Sequence, residues 1–96
     1  MWAEAKETAG WTFLSNHGHV LACIAKDSNV RVRDIAEAVG ITVRAVQRIL
    51  GELEAGGVIE RGRNGRRTHY EIDPTQSLRH PIEAAHSVGE LLDLIS

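Results

Sequence analysis

The run from Val32 to Leu50, VRDIAEAVGITVRAVQRIL, leaves a chain of this size few ways to fold. Two short amphipathic segments meet at one glycine. Apolar residues recur at Ile35, Val39, Ile41, Val46 and Ile49, the spacing of two helices that cross steeply with their inner faces in contact. Ala36 is small enough to let the second helix approach the first. Gly40 supplies the positive φ that a three- or four-residue turn demands, at no steric cost. Arg44, Gln47 and Arg48 then project from the outer face of the second helix.

The flanking residues extend this core. Ser15 or Asn16 caps an earlier helix whose buried face is Val20, Leu21, Ile24 and Ala25, and Asp27-Ser28-Asn29 ends it. The next helix starts at Val32 or Arg33 and stops at Val39. Thr42 is the N-cap of a third helix with Val46, Ile49, Leu50 and Leu53 at i, i+3, i+4 and i+7. Its N3 residue is Ala45, so no capping box supports Thr42. Gly56-Gly57 closes this helix.

The periodicity then changes from helical to alternating. Val58–Arg63 and Arg66–Ile72 flank Asn64-Gly65, the strongest short hairpin signal, because both central residues of a type I′ turn need positive φ. With that turn, Arg63 pairs with Arg66, Arg61 with Thr68 and Ile59 with Tyr70. One face carries Ile59, Tyr70 and Ile72 at the base and arginines toward the tip. On the other face Glu60 opposes His69, with Arg67 diagonal to Glu60.

After a linking loop from Asp73 to His80, Pro81 suits the first turn of a last helix reaching about Ile95. Ala85, Val88, Leu92 and Ile95 follow a 3-4-3 spacing, with Leu91 alongside and Gly89 permitting close approach. Such a seam predicts packing on a second copy of the chain. Near the other end a helical turn is expected around Ala3 to Thr8, and Trp2 and Trp11 are read as packing anchors for this chain or its partner.

Composition sets the outer limits. Ninety-six residues with 43% hydrophobic content build one small core. There is no bilayer-length apolar run, no signal-peptide pattern, and a single cysteine, Cys23, which together predict a soluble cytoplasmic protein. The net charge is −2, yet it is unevenly spread. Residues 30–72 hold eight arginines against six acids, while residues 73–96 hold one arginine against four acids. Arginine suits planar, bidentate contacts to phosphate or guanine.

Helix, helix-turn-helix, Asn-Gly hairpin and terminal helix together resemble the winged helix-turn-helix repressors of the MarR and ArsR type. The most specific part is the run from Asp34 to Asp73. The resemblance implies a mainly α fold with a small β-hairpin wing, in the order α-α-α-β-β-α. It divides the chain into an N-terminal segment at 1–14, a DNA-binding domain at 15–73, and a linker with a dimerisation helix at 74–96. It also implies a homodimeric regulator of transcription, expected to be a repressor, with the helix at 42–56 in the major groove of double-stranded DNA. The wing at 58–72 would touch backbone or minor groove. Thr42, Val43, Arg44, Gln47 and Arg48 match the groove-facing positions, and Arg63, Arg66 and Arg67 match the wing. The expected dimer contacts are Trp2, Trp11, Ala85, Val88, Leu91, Leu92 and Ile95.

Elementary chemistry supports these assignments. Arg44 and Arg48 stand one turn apart and can each engage both major-groove acceptors of guanine, while Gln47 can read adenine. Arg63 and Arg66, set opposite each other, repel unless phosphates neutralise them. Arg33 is a phosphate candidate, since a cation at a helix start opposes the dipole without an anion nearby. His17, His19, His80 and His86, with Glu83 and Glu90, raise the alternative of a metal-responsive ArsR-type sensor. No paired cysteines or tight ligand motif accompany them, so no metal or other cofactor is expected. Cys23 reads as a small hydrophobe at the edge of the first helix. No phosphate loop or nucleophile–base set is present, and no enzyme is expected. The acidic total leaves a second alternative, a winged helix that docks on a partner protein.

Overall fold

The computed structural model describes residues 10–96. Trp2 and the turn expected at Ala3–Thr8 lie outside the described residues. Four helices and one hairpin follow in the order α1 (Asn16–Lys26), α2 (Val32–Val39), α3 (Val43–Ala55), β1 (Ile59–Asn64), β2 (Arg67–Ile72) and α4 (Val88–Ile95). This is a winged helix fold.

The core is built from the inner faces of α1, α2 and α3. Val20, Ile24, Ile35, Val46, Ile49 and Leu50 are all but inaccessible to solvent. Removing any of these large side chains to alanine leaves a cavity as well as lost transfer energy, about 2–5 kcal/mol for Leu or Ile. Cys23 is buried with them, and burial pushes its thiol pKa up. Ala25, expected on this face, is exposed instead. The α1 face is turned toward Cys23 because Val20, Cys23 and Ile24 define the inner stripe.

The turns that close α2 and α3 use left-handed glycines. Gly40 has φ +87°, and the amide of Ile41 closes onto the Ala36 carbonyl at 3.1 Å. Beyond α3, Gly57 has φ +78°, the Val58 amide donates to Leu53 O at 2.9 Å, and the Gly57 amide donates to Glu54 O at 3.0 Å. That pair of bonds is a Schellman motif, and its hydrophobic contact is Val58 with Leu53, both buried. The motif turns the chain directly into the wing.

The wing differs from expectation by one residue at its tip. Ile59 faces Ile72, Arg61 faces Tyr70, Arg63 faces Thr68 and Asn64 faces Arg67. The turn is therefore Gly65-Arg66, with φ +67° at Gly65 and no positive φ at any non-glycine residue among those described. Only the first central residue is left-handed, as in a type II′ turn, so Asn64 stays in the strand. Each β1 residue meets a partner two positions further along, which preserves the faces. Arg63 and Arg66 are not opposed, and Glu60 opposes Glu71 rather than His69. Ile59 and Tyr70 are buried at the base, and the Tyr70 amide donates to Ser28 O at 2.9 Å, which ties the wing to the α1–α2 loop.

The last helix starts later than Pro81. Residues 81–86 form turns, and α4 begins after Ser87, whose hydroxyl accepts from the Glu90 amide at 3.1 Å while Glu90 accepts from the Ser87 amide at 2.7 Å. This reciprocal capping box sets the start. The ends of the intervening loop are closed by Leu78 N–His86 O at 2.9 Å and Val88 N–Gln76 O at 2.8 Å. Gly89 does permit a close approach, but by Pro74 of the same chain: a Cβ on Gly89 would lie 2.9 Å from Pro74 Cβ. Val88 and Leu92 are buried in this chain's own core, and Ala85 lies exposed before the helix.

Candidate nucleic-acid interface

The hydroxyl of Thr42 accepts from the Ala45 amide at 3.0 Å, which satisfies one of the free donors at the start of α3. From that cap the helix sorts its side chains. Val46, Ile49, Leu50 and Leu53 are buried, while Val43, Arg44, Gln47 and Arg48 stand exposed on the other side. The groove-facing positions expected from the sequence thus share one solvent-facing surface near the N-terminal half of α3. Gly51 meets nothing within 4 Å of where a Cβ would stand, so the face is low beyond Gln47.

The arginines divide by their partners. Arg48 Nη1 lies 3.2 Å from Glu52 Oε2, and the Arg61 guanidinium reaches Glu54 Oε1 at 2.8 Å. Arg44, Arg33, Arg63 and Arg66 are exposed and have no carboxylate partner among the described residues. Arg67, expected to bridge to Glu60 or reach DNA, donates from Nη2 to Asn29 O at 3.0 Å. The longer register carries Arg67 to the base of the turn beside the α1–α2 loop, away from Glu60. His69 follows it there, with Nδ1 3.0 Å from Asn29 Oδ1 and Nε2 3.8 Å from Glu71.

Glu52 was not singled out by sequence, yet it connects two elements of the site. His17 Nε2 on α1 lies 2.6 Å from Glu52 Oε1. That hydrogen bond first, and the Arg48 charge with it, hold the Glu52 carboxyl below its ordinary range. The i, i+4 spacing of Arg48 and Glu52 was visible in the sequence; the His17 contact, 35 residues away, was not.

The remaining histidines have local partners. His19 bonds to Asn16, His80 accepts from the Ile82 amide, and His86 lies 3.6 Å from Glu90, although His86 precedes α4 rather than sharing its face. Among the described residues no three His, Cys, Asp or Glu side chains are grouped so as to hold a metal ion. Nor is any helix among them long and apolar enough to cross a membrane.

The apolar surface lies elsewhere. Trp11 and Phe13 meet edge to face with ring centroids 5.0 Å apart, and Phe13 is 92% exposed. At the other end of the chain, Leu94 and Ile95 are exposed on α4, and Leu91 is half-buried.

Known proteins bear on this geometry. Residues 15–60 match the family described as winged helix-turn-helix DNA-binding. The AntR antimony-specific transcriptional repressor is similar in structure, with a TM-score of 0.53 and 27% identity over 80% of this chain and 60% of that one. The zinc-responsive MarR family member ZitR of Lactococcus lactis superposes with a TM-score of 0.53 at 20% identity, over 73% of this chain and 50% of that one. A riboflavin kinase of Thermococcus kodakarensis is 41% identical over 51 residues, which are 53% of this chain and 24% of the kinase. The chain therefore spans 24% of the kinase and 60% and 50% of the two solved structures.

Proposed function

We propose, from the match of residues 15–60 to the winged helix-turn-helix DNA-binding family, that the chain is a sequence-specific regulator of transcription, acting in the cytoplasm as a repressor. In this reading α3 enters the major groove of double-stranded DNA. Arg44 reads guanine, Gln47 reads adenine, and Thr42 and Val43 pack at the groove floor and wall. Arg48 is the more restrained reader, because Glu52 competes for its guanidinium. Arg63 and Arg66 at the wing tip meet backbone or the minor groove, and Arg33 at the start of α2 meets a phosphate.

One observation carries the reading. The exposed side of α3 presents Arg44 and Gln47 without partners among the described residues, directly after a satisfied N-cap, while the opposite side is locked into the core by Val46, Ile49 and Leu50. A rigid helix with an unpaid polar face is what groove recognition requires.

Dimerisation belongs to the same proposal. Trp11, Phe13, Leu94 and Ile95 leave apolar area in water that a second copy would cover. Two reading helices would then meet successive major grooves roughly 34 Å apart.

The test is retention of duplex DNA as a function of salt. The account expects binding whose affinity falls steeply as salt rises, through release of counterions from several phosphates. Arg44→Ala with Arg48→Ala should abolish preference for the selected site; retention unaffected by that pair would remove α3 as the reader.

A further inference from the structure

A cleft of about 270 Å³ opens between the α1–α2 loop and the second strand of the wing, lined by residues 29–32 on one side and by 66–68 with Tyr70 on the other. Three of its side chains are arginines, Arg31, Arg66 and Arg67, and none is a carboxylate. This sets the cleft apart from the other flank of the wing, where Arg61 is neutralised by Glu54. Arg67 donates one N–H to the Asn29 carbonyl, which holds its guanidinium at the wall and leaves further donors unspent. Arg31 and Arg66 have neither an ion pair nor a hydrogen bond from their side chains among the described residues.

Three like charges around a small concavity repel one another. Arg31 is the residue immediately before α2, where the positive end of the helix dipole disfavours a cation; Asp34 in the first turn of α2 offsets part of that penalty but does not line the cleft. Its side chain makes no cap hydrogen bond that would explain its place. An anion removes both penalties at once, and the planar fork of a guanidinium fits phosphate oxygens in pairs.

We propose that this cleft is a phosphate clamp that seats one backbone phosphate of bound duplex DNA, gripped by Arg31 from the helical side and by Arg66 and Arg67 from the wing. The proposal rests on the DNA-binding reading above. A shared phosphate joins the wing to the start of α2, so it sets the register of the protein on the duplex without reading sequence.

The experiment places a neutral methylphosphonate at each backbone position of a bound duplex in turn and measures binding by wild type, Arg31→Gln and Arg66→Gln. At one position the neutral linkage should weaken wild type by about tenfold and add little to the loss in either variant, the behaviour of a charge-assisted contact already removed. Both variants should lower the salt slope by about one unit and leave the ranking of base-substituted duplexes unchanged. Coupling of the two arginines to different phosphates, or to none, in a protein that still binds would overturn the clamp alone. A wild type that retains no duplex would overturn the DNA-binding reading as well.

A second arm titrates inorganic phosphate and follows arginine Nε–H resonances. Joint, saturable shifts of Arg31 and Arg66 together with a coupled backbone position support the clamp. The same shifts without a coupled position assign the cleft to a free anion and overturn the duplex as its source.

Discussion

Arg48 Nη1 lies 3.2 Å from Glu52 Oε2, one helical turn along the exposed side of α3. The pair turns a guanidinium proposed to face the groove back along its own helix. His17 holds the same carboxylate from α1 at 2.6 Å, so Glu52 is less free to release Arg48 by rotating away.

Glu52→Gln should therefore strengthen duplex binding a few-fold. It removes one negative charge beside the proposed reading face and loosens the hold on Arg48, within the modest range of surface ion pairs. Fluorescence anisotropy at fixed salt measures this, and weaker binding by the variant would show that Glu52 orients Arg48 productively instead.

Gly65, with φ +67°, is the only left-handed residue of the wing turn, and Asn64 is paired with Arg67 in the strand. Gly65→Ala should cost about 1 kcal/mol, the penalty of a Cβ in left-handed backbone. Asn64→Ala should be close to neutral. Chemical denaturation separates the two, and equal costs would favour a turn centred on both residues.

Gly89 stands against Pro74, with a built Cβ only 2.9 Å from the Pro74 Cβ and 3.1 Å from its carbonyl oxygen. Gly89→Ala should shift the 73–76 turn away from α4 and cost about 1–3 kcal/mol, as overpacking does. The melting temperature would fall by several degrees while the affinity of the folded protein for DNA stays unchanged. An unchanged melting temperature would mean that this contact gives way freely.

Besides Glu52, two further carboxylates contribute to the response to acid. Asp73 accepts from the Thr75 hydroxyl at 2.6 Å and the Thr75 amide at 3.0 Å, and Glu90 accepts from the Ser87 amide at 2.7 Å. The Thr75 hydroxyl chiefly holds Asp73 below the ordinary carboxyl range, and the Ser87 amide does the same for Glu90. Depressed folded-state values mean that this stabilisation is complete above the unfolded pKa, near pH 4, and is lost as pH falls through the lower folded values. Melting temperature against pH should drop on the acid side, and Asp73→Asn with Glu90→Gln should flatten that limb. An acid limb identical to wild type would assign the loss to other groups.

Much of the helix-turn-helix was legible in the sequence because it rests on local rules. Ile35, Val46, Ile49 and Leu50 announce their burial by helical period, and Gly40 and Thr42 announce a turn and a cap. The wing turn lies one residue beyond the Asn-Gly pair because Asn-Gly and Gly-Arg both satisfy hairpin chemistry, and only pairing along the strands decides between them. The start of α4 was open to reading: Ser87-Val-Gly-Glu90 is a capping-box pattern, but Pro81 offered an earlier start. Contacts between distant segments were not legible, among them His17 with Glu52, Asn29 with Arg67, and Pro74 with Gly89. They depend on how the helices bring remote residues together, and no periodicity encodes that.

The central claim is that the exposed side of α3 reads bases. Selection of bound sites from random duplexes by wild type and by Arg44→Ala with Gln47→Ala tests it most directly. The account predicts that wild type enriches a defined site and that the variant loses discrimination at individual base pairs, about 1–3 kcal/mol for each bidentate contact removed. Enrichment of the same site with undiminished preference by the variant would contradict it.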